Sequence, residues 1–128
     1  LHLVFGTDGD RDATKRVPLA KVAAKEADML WVTDENPRTE NAESIRAQLL
    51  SGIKEVRPGM EKVCEVTTCR RDAIRKAILA AGLDDTVIIT GKGAEPYQEI
   101  EGVFHAFNDT PVAQDCFVAY KNRAHIQG

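Results

Sequence analysis

The sequence predicts a three-layer, Rossmann-like α/β domain whose sheet is mainly parallel and carries an antiparallel hairpin at its edge. Three observations lead there. Strand-sized apolar runs alternate with segments of helical period; polar, turn-forming stretches stand between the runs; and the alternation gives way, late in the chain, to two short runs separated only by Glu101-Gly102. Strands that alternate with helices imply parallel pairing through crossovers, whereas a two-residue connection suits a hairpin.

His2-Leu3-Val4-Phe5-Gly6 reads as the first strand, and it opens the chain with no capped or polar leader, as expected of a domain cut from a longer protein. Val17, Ala20, Ala23, Ala24 and Ala27 then recur at helical spacing, and Pro18 is tolerable only in a first turn, which puts the helix start near Arg16. Met29-Leu30-Trp31-Val32-Thr33 reads as a buried strand ending in the polar loop Asp34-Glu35-Asn36-Pro37-Arg38. Asn41 suits the cap of the next helix, whose Ala42, Ile45, Leu49 and Ile53 line one face before Gly52 loosens its end. A strand around Lys62 to Val66 follows, then a helix with Ile74, Ala77, Ile78 and Ala81 inside and Gly82 as terminator. Asp84 to Thr90 gives the fourth strand, Tyr97 to Ile100 and Val103 to Phe107 the hairpin, and a last helix starts at Asp109.

Bulk properties bound the function. A chain of 128 residues suits one domain spanning residues 1–128, and 43% hydrophobic with 29% charged residues is too apolar for a disordered segment. The net charge of -3, with scattered basic residues such as Lys15, Lys21, Lys25 and Lys76, leaves no footprint for nucleic acid. Runs such as Met29 to Thr33 fall far short of the roughly 20 residues that cross a bilayer, so no membrane insertion is expected. Cys64, Cys69 and Cys116 form no CxxC pair and no Cys/His cluster; they read as packing residues in a reducing cytoplasm, and no metal site is expected.

In sheets of this kind ligands gather beyond the carboxyl ends of the strands. Three polar loops are expected there: Gly6 to Lys15, Asp34 to Glu40 and Gly91 to Gln98. The first places Asp8, Asp10 and Asp12 at alternate positions, but an EF-hand needs a glycine where Ala13 stands and a carboxylate where Leu19 stands. Gly91-Lys92-Gly93 lacks the spacing of a Walker phosphate loop. The second puts two carboxylates, an amide and a guanidinium within five residues, the groups that would surround a zwitterion: carboxylates for an ammonium, arginine for a carboxylate. Taken singly, each loop also reads as a solvated or tight surface turn.

Together the loops resemble the C-terminal domain of MurE-type peptidoglycan ligases. The resemblance rests on Gly9-Asp10-Arg11-Asp12, Glu35-Asn36-Pro37-Arg38 and Gly91-Lys92-Gly93-Ala94-Glu95, and extends through Lys15-Arg16, Tyr97-Gln98 and Phe107-Asn108-Asp109. Departures are Glu35 for the family's aspartate, Ala94 for its histidine, Thr14 for its glycine, and Val17-Pro18 where the proline comes one residue sooner. The resemblance implies a bacterial ligase of peptidoglycan biosynthesis that adds meso-diaminopimelate to UDP-N-acetylmuramoyl-L-alanyl-D-glutamate. In that family ATP phosphorylates the D-glutamate side-chain carboxylate and the incoming amine displaces phosphate. By the same resemblance Arg11, Asn36 and Arg38 contact the amino acid, while Glu35, the carbonyl of Gly91 and Glu95 receive its distal ammonium; no catalytic residue falls in this chain. ATP and Mg2+ would be held mainly by a central domain absent here, so the chain alone is expected to be inactive.

Lysine-adding relatives commonly lack the arginine matching Arg38, which makes diaminopimelate the expected substrate. The alternatives are a lysine-adding ligase domain, a folylpolyglutamate synthetase-like domain, and a free-standing α/β module that binds amino acids or nucleotides.

Overall fold

The computed structural model describes residues 1–7, 9, 13–82, 84–90, 97–100, 103–106, 109, 111–116 and 118. Its elements are β1 (His2–Phe5), a 3-10 turn (Ala13–Lys15), α1 (Arg16–Glu26), β2 (Met29–Val32), α2 (Ala42–Val56), β3 (Val63–Glu65), α3 (Arg70–Ala80), β4 (Val87–Ile89), β5 (Tyr97–Ile100) and β6 (Val103–Ala106). Residues 111–116 are also helical.

The first four strands form a parallel sheet in the order β3-β2-β1-β4, with Val4 paired to Trp31 on one side and to Ile89 on the other. The first strand therefore lies inside the sheet, and the α/β expectation holds element by element. β5 and β6 pair antiparallel through Gln98 opposite His105 and Ile100 opposite Val103. This hairpin makes a two-stranded sheet of its own, and an isolated parallel bridge between Arg38 and Ile100 ties it to the loop after β2.

Because side chains alternate across a strand, the sheet feeds two cores. Phe5, Leu30 and Val32 point to one face and meet Ala20, Ala23 and Ala24 of α1 with Leu49 and Ile53 of α2. Val4 and Trp31 point to the other and meet Ala73, Ile74 and Ala77 of α3 with Val112 and Cys116. Leu30, Leu49, Ile53 and Ile74 are fully buried, and each contributes about 2 kcal/mol of transfer free energy. Cover is incomplete over β4, where Ile88 is 41% exposed, and Leu19 and Val22 of α1 are also exposed.

Local chemistry sets the helix limits. Asn41 caps α2 by accepting from the Ser44 amide at 2.9 Å, as its residue type predicts. Cys69 caps α3 through Sγ, which accepts from the Asp72 amide at 3.4 Å. Of the three cysteines only Cys116 is buried, Cys64 is partly so, and the exposed Cys69 departs from the packing role expected of it. At the far end of α1, Arg57 donates to the carbonyls of Ala24 and Ala27, a cation placed where the helix dipole favours it.

Gly52 does not loosen the end of α2, which runs on to Val56. It marks instead the crossing with α1, where an added Cβ would stand 2.8 Å from the Val17 carbonyl oxygen and 2.9 Å from the Ala20 Cβ. Glycine opposite alanine lets the two helices approach closely. Gly52→Ala should therefore destabilise the fold by about 1–3 kcal/mol through overpacking, despite alanine's better helix propensity. Urea denaturation measures it, and a variant as stable as the parent would show that the crossing has room to spare.

Candidate functional site

Parallel pairing in register brings the carboxyl ends of β1, β2 and β4 to one rim, so that Gly6, Thr33 and Thr90 leave the sheet side by side. The loop after β2 forms the centre of this rim. Its Asn36 is 2% exposed, while Glu35 and Arg38 are partly buried. Arg38 adopts a left-handed backbone, φ 57°, which a non-glycine residue holds only when its surroundings impose it. The bridge to Ile100 is one such constraint.

The loop from β1 lies directly against it. The Gly9 amide donates to the Asn36 carbonyl at 2.7 Å, and a Cβ on Gly9 would fall 1.7 Å from the Pro37 oxygen. Only glycine permits that approach. From the hairpin side, the amide of Gln98, 6% exposed, donates to the carbonyls of Glu35 at 2.8 Å and Asp34 at 3.4 Å.

Three arginines complete the frame. Arg16, the first residue of α1, is 2% exposed and forks onto the Glu40 carboxylate at 2.5 and 2.8 Å, with a further bond to Gln48. Arg46 of α2 reaches Asp34 at 2.7 Å and Glu65 at 3.0 Å. Burial alone would lower its pKa, but hydrogen bonds and charge from Asp34 and Glu65 outweigh burial and hold the guanidinium above its ordinary value. Arg70 opens α3, is 1% exposed, and forks onto Asp109 at 2.8 and 2.7 Å while donating to the carbonyls of Asp34 and Thr90.

Of the residues expected at the site, Glu35, Asn36 and Arg38 share this one loop; Arg11, Gly91 and Glu95 lie outside the described residues. Sequence reasoning gave no role to Arg16, Arg46, Arg70 or Gln98. The arginines were legible as anomalies: Arg16, Arg46 and Arg70 each stand on the buried stripe of their helix, as in Arg70, Ala73, Ile74 and Ala77. A charge on a buried stripe needs a partner, and a loop acid is the available one. The hydroxyls of Thr7 and Thr33 are buried at the same rim with no hydrogen-bond partner among the described residues.

In parallel α/β sheets ligands bind beyond the carboxyl ends of the strands, where these charged, interlocked loops lie. Comparison with known proteins narrows the class. A family model described as "Mur ligase, glutamate ligase domain" matches residues 1–93. The UDP-N-acetylmuramoyl-L-alanyl-D-glutamate--2,6-diaminopimelate ligase of Xanthomonas campestris pv. campestris is 48% identical over 113 residues, which are 88% of this chain and 22% of that protein. A ligase of the same name from Pseudomonas aeruginosa is 42% identical over 123 residues, 94% of this chain and 24% of its own. A solved structure of a so-named ligase superposes with a TM-score of 0.78 at 35% identity, over 94% of this chain and 24% of that one. The chain belongs to the Mur ligase family, of which it is the C-terminal domain, and it spans about a quarter of the length of these relatives.

The Arg46 cluster yields a stability prediction. Arg46→Met would leave Asp34 and Glu65 without the cation between them, and should destabilise the domain by roughly 3 kcal/mol. Adding Asp34→Asn and Glu65→Gln should recover most of that loss, because no uncompensated charge remains. Denaturation of the single, double and triple variants checks this, and simple additivity of the separate losses would refute the pairing.

Proposed function

We propose that this chain is the amino-acid-recognising domain of an ATP-dependent ligase that joins meso-diaminopimelate to UDP-N-acetylmuramoyl-L-alanyl-D-glutamate in peptidoglycan synthesis. The observation that carries the reading is the loop after β2, which presents Glu35 and Arg38 beside the buried Asn36 at the shared strand ends, in a chain 42–48% identical to ligases named for that reaction. Arg38 is assigned the distal carboxylate of the diamino acid, a planar fork meeting a planar acceptor. Glu35 is assigned the ammonium beside it, with the carbonyl of Gly91 and the carboxylate of Glu95, and Asn36 and Arg11 complete the contacts by resemblance to the family.

The work proposed for this chain is binding and orientation. Its residues hold the diamino acid by its distal end and so orient the other amine, the one that becomes the amide nitrogen; holding that amine at attacking distance is worth several kcal/mol of the barrier. ATP and Mg2+ would activate the acceptor carboxylate elsewhere in the longer protein: this sequence has no Gly-x4-Gly-Lys-Ser/Thr loop, and no cluster of metal-ligating side chains occurs among the described residues. No helix among the described residues is long and apolar enough to cross a membrane. A cytoplasmic placement is part of the proposal, by resemblance to the family.

Arg38 gives the decisive test, since lysine differs from diaminopimelate by lacking one carboxylate. In the full-length enzyme, Arg38→Ala should lower kcat/KM for diaminopimelate by roughly 100-fold or more, about 3 kcal/mol for a lost bidentate charged contact, and change lysine use far less. Both amino acids are assayed at saturating ATP and UDP-muramoyl dipeptide. Equal losses would show that Arg38 supports the loop and does not read the carboxylate.

A further inference from the structure

One side chain fixes the departure points of two site loops at once. Arg70 makes four hydrogen bonds: Nε and Nη2 to the two oxygens of Asp109, Nη1 to the Asp34 carbonyl at 3.1 Å, and Nη2 to the Thr90 carbonyl at 2.9 Å. Asp34 immediately precedes Glu35-Asn36-Pro37-Arg38, and Thr90 immediately precedes Gly91. The guanidinium thus spans the ends of β2 and β4 and ties both to Asp109. Gln98 binds the same Asp34 carbonyl and the next one.

Stability does not account for an arginine in this place. Its side chain is fully buried, so desolvation offsets most of what the ion pair contributes. It also occupies the first turn of α3, where the helix dipole opposes a cation. Apolar side chains replacing Arg70 and Asp109 together could fill the volume at similar stability. No apolar side chain, and no single ammonium, can meet acceptors lying in three directions in one plane.

We infer that Arg70 is a positioning residue of the amino-acid site, holding the Glu35–Arg38 loop in register with the end of β4 at Thr90, as the diamino acid requires. This inference rests on the function proposed above. Arg70 touches no substrate; it acts through the two carbonyls. A shift of about 1 Å in binding groups can cost up to 100-fold, so loosening the clamp should be read out at the amino acid and nowhere else.

The test uses the full-length ligase, beginning with the amino acid that the parent enzyme adds. Arg70→Lys keeps a charge against Asp109 but cannot span both carbonyls, and should raise KM for diaminopimelate roughly tenfold or more, with KM for ATP and for the UDP-dipeptide within about twofold of the parent. A merely structural role would reduce the folded fraction, and so the apparent kcat, while leaving the KM of the folded molecules unchanged. Gln98→Met removes the second donor to the loop without stranding a charge, and should raise the same KM in the same selective way. It decides the matter if Arg70→Lys fails to fold. An unchanged KM for the amino acid in every variant that folds would overturn the role of Arg70. Should the parent enzyme add an amino acid other than diaminopimelate, the proposed function falls, and KM for the amino acid that it does add then decides on Arg70.

Discussion

The rim depends on one electrostatic constraint: two helices begin on arginines that their own dipoles disfavour, and a third carries a buried arginine in its second turn. Arg16 and Arg70 are the first residues of α1 and α3, and Arg46 lies in the second turn of α2. In a parallel βα arrangement the helix N-termini crowd together at the carboxyl ends of the strands, so the positive ends of three dipoles and three guanidinium groups share one edge of the sheet. Such a concentration is tolerable only with acids supplied to it. Glu40, Asp34 with Glu65, and Asp109 supply them, and two of these four lie in the loop after β2. Arg57, at the opposite end of α1, satisfies carbonyls where the dipole welcomes it, and it is correspondingly more exposed.

That constraint explains how a loop of seven residues can carry a precise arrangement of charge. Asp34 and Glu40 anchor its two ends to different helices, while Gln98 and Gly9 fix carbonyls between them. The backbone of Arg38 is consequently held at a positive φ that it would abandon in a free loop. Strain of this kind persists only where the surroundings over-determine it. Here they do so through the carboxylates at the loop's two ends and the carbonyls between them.

The fold was largely legible because it rests on apolar periodicity, the signal that a sequence displays most directly. The alanine stripe of α1, the Asn41 cap and the antiparallel pairing of β5 with β6 each have a local cause, and each appears where that cause puts it. The loop of Glu35, Asn36 and Arg38 was legible as an unusual concentration of charge at a strand end. What was hidden has non-local causes. Gly52 resembles a helix terminator until α1 is laid across it, and Cys69 resembles a packing residue until its sulfur is seen to cap a helix. The arginine partners are separated from their acids by between 12 and 39 residues, which no window of helical length can connect.

The buried arginines also bear on why recognition and activation can be divided between parts of a longer chain. A site that must present an amine to a carboxylate activated elsewhere cannot rely on the second part to organise the first. Each degree of freedom left in the loops would have to be frozen during closure, at roughly 1–2 kcal/mol per backbone residue. Here the loop's main hydrogen bonds and ion pairs are made within the domain, to α1, α2, α3 and the hairpin, before any partner domain arrives. Under the proposed function, closure would then spend its energy on excluding water and aligning two finished surfaces.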